Sequence, residues 1–368
     1  MGLVEYFAEI KDPRIDRKKL HALPDILALT VCAMLSGAEG YEAIEEFGRN
    51  KEDWLKTFLP LKNGIPSHDC IRYVLQRLPA DELQTCFLNW VKNIKENIPE
   101  VVALDGKTVR RSHNAKTGLP ALHLVSAWAD KNRLILGQIA CEEKSNEITA
   151  IPKLLKMLEL KGCIVTLDAM GCQKEIAKQI ISQKADFVLG LKGNQGQLYE
   201  TVKDYFEIAH QESFNHVPYQ YVETVDKGHG RLEVRKHWIV EDLSTLPKTE
   251  NWSGLRTIGM VQRECTQAEK VTVETRYFIS SIPPDAEMFA HAVRSHWGIE
   301  NSLHWCLDVT FREDESRIRT GNAPVVISTF RHICLNLLKQ ESSKLSIKKK
   351  RLKAAWNDDF RRKVLLGE

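Results

Sequence analysis

Two short apolar runs in this chain end in the same way. Val101-Val102-Ala103-Leu104 leads into Asp105-Gly106, and Cys163-Ile164-Val165-Thr166-Leu167 leads into Asp168-Ala169. A strand that ends in an acid followed by a small residue sets a carboxylate at the open edge of a sheet. Two such ends on neighbouring strands bring two carboxylates together. The segments around them restrict the fold further. β-rich runs at residues 122–128 and 134–140 follow the first, and a helical stretch at 148–158 precedes the second. A helix at 174–184 then leads to a fifth run at 187–191.

Three strands, a helix, a strand, a helix and a strand is the order of a ribonuclease-H-like α/β core, in which the first and fourth strands lie side by side. That catalytic core is expected over residues 99–340. Residues 1–98 lack strand-like alternation, and the spacing of Leu23, Ile26, Leu27, Leu29, Val31, Cys32, Met34 and Leu35 predicts an all-helical domain. Within it Ser67 is a good N-cap for a helix presenting His68, Arg72 and Arg77, which is compatible with a helix-turn-helix DNA reader; a plain helical bundle fits the same spacing. Between about 212 and 282 the chain turns strand-rich and polar, at 219–225, 232–235 and 271–275, and is expected to form a β-rich insertion. The core then resumes with a long amphipathic helix over 286–307 and another over 324–339. Residues 341–368 carry nine Lys/Arg against four Asp/Glu. They form a basic tail suited either to phosphate or to a solvated helix face.

The net charge of +3 does not by itself announce a nucleic-acid partner. The nine cysteines are scattered and form no C-x-x-C pair, as expected of reduced core residues rather than a disulfide framework or thiolate zinc site. The first residues are acidic and lack the apolar run of a secretory signal. The most apolar stretch, 26–35, is too short to cross a bilayer, so neither export nor membrane insertion is expected.

Paired carboxylate oxygens suit Mg²⁺, and a two-metal site places ions about 3.5–4 Å apart, a gap that a shared carboxylate bridges. A third acid has to come from elsewhere, and Glu300 on the long helix is the candidate. The runs Ala103-Leu104-Asp105-Gly106-Lys107, Val165-Thr166-Leu167-Asp168-Ala169, Gly190-Leu191-Lys192-Gly193-Asn194-Gln195 and His296-Trp297-Gly298-Ile299-Glu300-Asn301 resemble the DDE transposases of bacterial insertion sequences. More narrowly, with Asn63-Gly64-Ile65-Pro66-Ser67-His68-Asp69, the chain resembles the H-repeat-associated group over residues 3–340. The resemblance implies that Asp105, Asp168 and Glu300 are the catalytic, metal-binding acids and that two Mg²⁺ or Mn²⁺ ions serve them. It implies double-stranded DNA as partner, both inverted-repeat ends and target, held by a homodimer in the bacterial cytoplasm. The reaction would be end cleavage followed by strand transfer, without a covalent protein intermediate. In one respect the chain departs from the wider family. Val293 and His296 stand where Tyr and Arg precede the glutamate, and Leu307 where a Lys follows it.

Candidate DNA contacts are Lys107, Arg110 and Arg111 after the first acid, Lys192 and Asn194 after the fifth strand, Arg231 in Gly228-His229-Gly230-Arg231, His296, and Arg72 with Arg77. Solvated basic loops and ordinary turns explain many of them equally well. His296, Glu300 and His304 also share one helix face and offer a rival zinc site. Three ligands spread over two helical turns are expected to lie too far apart to converge on one ion. Trp297 and Trp305 are expected in the core. Two further functions compete: a plain ribonuclease-H-like nuclease, and a domesticated DNA-binding protein whose acids are no longer used.

Overall fold

In the computed structural model, which describes residues 2–113, 118, 120–141, 147–228, 230–268 and 270–367, the apolar runs pair into one large mixed sheet flanked by helices. The chain opens with helices α1 (Leu3–Phe7), α2 (Leu23–Leu35), α3 (Tyr41–Asn50), α4 (Glu52–Leu55), α5 (His68–Arg77) and α6 (Ala80–Ile94). Strands β1 (Val101–Thr108), β2 (His123–Ala129) and β3 (Leu134–Cys141) follow, then α7 (Glu147–Met157), β4 (Ile164–Leu167), α8 (Lys174–Ser182), β5 (Asp186–Leu191) and α9 (Gly196–Gln211). Four long strands come next: β6 (Tyr219–Gly228), β7 (Arg231–Val240), β8 (Thr257–Gln267) and β9 (Lys270–Ser280). Helices α10 (Ala286–Ile299), α11 (Trp305–Thr310), α12 (Ala323–Gln340), α13 (Ile347–Trp356) and α14 (Asp358–Leu366) complete the chain. Among the described residues no helix is long and apolar enough to cross a membrane.

The nine strands lie in the order β3-β2-β1-β4-β5-β9-β8-β7-β6. β1, β4 and β5 run parallel, so the first and fourth strands are neighbours as expected, while every other pairing is antiparallel. Successive side chains enter opposite faces. On β5, Phe187 and Leu189 join the main core, whereas Val188 joins a second one with Val101, Ile239, Val261 and the α10 residues Phe289, Ala292 and Val293. α10 therefore roofs one face of the sheet and carries its C-terminal end over β1 and β4.

Several features differ from the sequence expectations. The expected insertion contains a further strand, β8, and its strands extend the core sheet through the β5–β9 pairing. The expected long helix over 286–307 is broken by a π-helical turn at Glu300–His304 before it continues as α11. The helices of residues 3–94 share one continuous apolar core with the sheet and α12. In the basic C-terminal segment, Lys350, Arg351 and Arg361 are buried. Lys350 Nζ donates to the Leu338 carbonyl at 3.0 Å, Arg351 Nε to the Met34 carbonyl at 3.0 Å, and the Arg361 guanidinium stacks 4.0 Å from the Trp54 ring centroid. These three cations are thus committed to packing the C-terminal helices onto the molecule.

Candidate active site

The parallel register pairs Val101 with Ile164, Val102 with Val165 and Ala103 with Thr166. Carried two residues further, it sets Asp105 level with Asp168, but the two do not both end their strands as expected: β1 runs on to Thr108 through its pairing with β2, so Asp105 lies inside the strand, whereas Asp168 directly follows β4. Glycines shape the surroundings of both acids. A Cβ at Gly106 would lie 2.3 Å from Glu147 Oε1 and 2.7 Å from His123 Nε2, so only glycine fits over the buried His123–Glu147 pair, itself 2.6 Å apart. A Cβ at Gly190 would press within 3.3 Å of the Ala169 nitrogen, just past the second acid.

Asp105, Asp168 and Glu300 line a single cleft of about 420 Å³, together with Thr166, Lys192 and His296. Their surroundings are not equivalent. His304, on the turn that begins at Glu300, brings Nδ1 to 3.6 Å from Asp105 Oδ2 and 3.5 Å from Glu300 Oε2. One ligand atom from each of Asp105, Glu300 and His304 lies within 4.8 Å of the others. Asp168 stands outside this group. It is exposed, and its Oδ1 accepts the backbone N–H groups of Met170 at 2.9 Å and Gly171 at 3.3 Å. His296 does not join the group either, since its Nδ1 lies 3.0 Å from Thr166 Oγ1. The zinc-type trio of one helix face is therefore not assembled; an acid from β1 takes the place of His296.

Burial pushes the Asp105 carboxyl up to about 7, with the charges of Glu300 and Asp168 adding to the effect and His304 opposing it. Glu300 moves the other way, because the neighbouring His304 ring holds it below its usual range against the cost of burial. Burial also pulls the His296 imidazole below its ordinary value. A buried carboxyl that retains a proton near neutrality, beside a second carboxylate and an imidazole nitrogen, is a donor set short of positive charge. These residues fit a divalent cation.

The expected DNA contacts fall into different places. Lys107 turns inward: its Nζ lies 2.7 Å from Asp308, 3.2 Å from Asp314 and 3.4 Å from Glu313, and its side chain is 10% exposed. Burial disfavours its charge, yet the three acids outweigh this and hold its pKa above the ordinary value. Glu313, fully buried, also meets Arg331 and Ser328. This cluster ties the end of β1 to α11, directly beyond the turn that carries Glu300 and His304. Arg110 is exposed and pairs with Asp314 at 3.2 Å, while Arg111 is exposed and its carbonyl accepts from Arg319. Lys192 is exposed at the cleft. Asn194 donates to the Ala169 carbonyl at 2.6 Å, which fastens the loop after β5 to the loop after β4.

Arg231 pairs with Glu233 at 3.1 Å in a second groove of about 700 Å³ between β6–β9 and α10. Arg235, Arg263, Arg276 and Arg294 also line this groove, which shares Arg276 and Trp297 with the acid cleft. His229 lies outside the described residues. Ser67 caps α5 by accepting from the Cys70 nitrogen. On that helix Arg72 meets Glu42 at 3.1 Å and Asp69 at 3.3 Å, and the Arg77 guanidinium lies 3.9 Å from the Tyr73 ring centroid. Trp297 and Trp305, expected in the core, are 39% and 58% exposed, and Arg276 stacks on Trp297 at 4.6 Å. Sequence reasoning missed the acids that neutralise Lys107; their only local signal is the run Glu313-Asp314-Glu315 just after α11.

Comparison with known proteins gives these features a common source. The family model described as "Transposase DDE domain" matches residues 96–337, and the model of the region associated with that domain matches residues 4–91. The "H repeat-associated putative transposase YhhI" of Escherichia coli (strain K12) is 41% identical over 373 residues, covering 99% of this chain and 98% of the relative. An "Uncharacterized protein in dhlA 3'region" of Xanthobacter autotrophicus is 42% identical, covering 76% of this chain and 94% of the relative. Among solved structures, a piggyBac transposase synaptic complex with hairpin DNA aligns at a TM-score of 0.45 and 12% identity, covering 98% of this chain and 76% of that one. With a family model spanning the whole sheet and its helical roof, and a relative matched nearly end to end, this chain belongs to the DDE transposase family.

Proposed function

We propose that this chain cuts double-stranded DNA at insertion-sequence ends and transfers the freed 3′ end into target DNA, as a ribonuclease-H-like polynucleotidyl transferase acting as a homodimer on two ends. The observation that carries the reading is that Asp105, just past the paired stretch of β1 and β4, and Asp168, just past the end of β4, open with Glu300 on one cleft. Asp105, Asp168 and Glu300 are the residues that would hold two divalent ions, Mg²⁺ or Mn²⁺. Such ions, when bound, supply positive charge to the attacking and leaving oxygens.

The protein's own groups position the DNA. Lys192 offers an ammonium at the cleft, and the groove that meets the cleft at Arg276 and Trp297 holds five arginines, paired in the free protein with Asp226, Glu233 and Glu274, whose guanidinium groups can exchange those carboxylates for a phosphate backbone running toward the acids. Asn194 keeps the loops after β4 and β5 in fixed relation, so Asp168 and Lys192 face the substrate together. The helical segment up to residue 98 serves in this reading as the DNA-binding unit.

The test uses full-length protein and a labelled fragment carrying the inverted repeats that flank its gene, with Mg²⁺ or Mn²⁺. Cleavage and joined product are expected. Asp105→Asn, Asp168→Asn and Glu300→Gln should each lower both by on the order of 10³-fold while end binding and melting temperature stay near native. Nicking without joined product would replace the reading by a plain nuclease. Near-native turnover in any amide variant would remove that acid from the site.

A further inference from the structure

We infer that His304 is a direct nitrogen ligand of the cation held between Asp105 and Glu300, so that this position selects a first-row transition ion such as Mn²⁺ over Mg²⁺. The inference rests on the metal-dependent reading above and adds a ligand that the three-acid set does not contain.

The spacing is the first argument. His304 Nδ1 lies 3.6 Å from Asp105 Oδ2 and 3.5 Å from Glu300 Oε2. A well-formed N–H···O bond spans about 2.7–3.2 Å, so the ring closes a good hydrogen bond with neither acid. Two donors each about 2.1 Å from one ion lie about 3.0–3.4 Å apart at octahedral or tetrahedral angles. The observed separations are close to that range, and all three ligand atoms already fall within 4.8 Å of one another.

Burial is the second argument. His304 is 5% exposed, and its other ring nitrogen, Nε2, is buried with no hydrogen-bond partner among the described residues. The ring is therefore not held by hydrogen bonds of its own, and its Nδ1 is the nitrogen that faces the two carboxylates. With the proton on Nε2, the Nδ1 lone pair points at two carboxylates, an arrangement that a cation between them turns from repulsive to bonding. Backbone form agrees with this, since the π-helical turn runs from Glu300 to His304 and has one ligand at each end; such turns are rare and concentrate at functional sites.

The donor set then selects the ion. Mg²⁺ takes oxygen ligands almost exclusively, whereas first-row transition ions accept an imidazole beside carboxylates, Mn²⁺ more weakly than Fe²⁺, Co²⁺ or Zn²⁺. Asp168, turned to its own backbone N–H groups, lies outside this coordination group.

Electron paramagnetic resonance of full-length protein titrated with Mn²⁺ tests the inference without an activity assay. One tightly bound ion is expected, with electron spin-echo modulation from one directly ligated ¹⁴N that is replaced by a ¹⁵N signature when the protein carries ¹⁵N-histidine. His304→Gln should abolish that coupling and weaken Mn²⁺ binding at least about tenfold, with a smaller loss for Mg²⁺, while His296→Gln keeps the coupling. Bound Mn²⁺ without nitrogen modulation, or modulation that survives His304→Gln, overturns the inference and leaves the three-acid reading intact. Failure of the wild-type protein to bind Mn²⁺ at all sinks both. The isotope experiment on wild-type protein decides the matter even if His304→Gln does not fold.

Discussion

The Asp-Gly of β1 and the Asp-Ala after β4 look alike in sequence, yet the structure gives them opposite settings. Within β1, Asp105 is largely buried among Glu300, His304 and Asp168, and burial pushes its carboxyl up to about 7. Two residues on, Lys107 is locked to three acids of the α11 region. At the β4 end, Asp168 is exposed and satisfies the backbone of its own turn. One site is anchored across the fold by long-range charge pairing; the other is anchored locally by a cap. The local Asp-small pattern alone therefore supplies a carboxylate, and its neighbours decide whether that carboxylate is held ready for a cation or occupied by its own chain.

Breaking the long-range anchor should have the largest effect on stability. Lys107→Met leaves buried Glu313 with Arg331 alone and the partly exposed Asp308 without its cation, and is expected to cost about 3 kcal/mol in urea unfolding. Lys92→Met, which loses only an exposed pair with Glu159, should cost less than about 1 kcal/mol. Equal unfolding midpoints for the two variants would mean that Lys107 anchors nothing.

The second prediction concerns pH and metal-free protein. Because the folded-state pKa of Asp105 is raised, the folded form keeps a proton that the unfolded chain releases. The contribution of Asp105 to stability is therefore greatest below the unfolded pKa and is lost as pH rises toward about 7. In EDTA, the melting temperature of Asp105→Asn should gain on that of wild type as pH is raised from about 5 to about 8. A constant difference between them would show that Asp105 does not titrate in this window.

The smallest effect sharpens the local end. Asp168→Ala removes the acceptor for Met170 and Gly171 and should destabilise the protein by about 1 kcal/mol, whereas Asp168→Asn keeps an acceptor oxygen and should melt within about 0.5 kcal/mol of wild type. Indistinguishable unfolding curves for the Ala and Asn variants would remove the capping role.

Much of this layout was legible from local pattern. Apolar runs closed by Asp-Gly and Asp-Ala marked β1 and β4, and the order of strands and helices made them neighbours. Glu300 was reachable because its helix follows the strand-rich segment. β8 was not legible, because its first half is buried on both faces and its second half is largely polar, so no clean alternation marks it. Lys107 was expected to contact DNA or to lie in a solvated basic loop, but β1 runs on to Thr108, and pairing with Leu124 keeps Lys107 in the strand, where α11 and the turn after it supply its acids. His304 was weighed only against ligands on its own helix. The partner that completes its group, Asp105, comes from nearly two hundred residues earlier, a distance over which helical spacing carries no information. The exposure of Trp297 and Trp305 was likewise invisible, since a large aromatic side chain on an amphipathic helix ordinarily faces the core.

The π-helical turn at Glu300–His304 also changes how residues along this helix must be counted. It takes up one more residue per hydrogen-bonded circuit than an α-turn, so α10 and α11 are out of phase with each other by about 100°. A helical wheel drawn straight through Ala286–Thr310 is consequently correct for Phe289, Ala292 and Val293 and wrong for Asp308. Alignments or grafts that treat the segment as one uniform helix will slide the partner of Lys107 away from Glu300 by a single position, enough to separate the acid that faces the cleft from the acid that fixes its support.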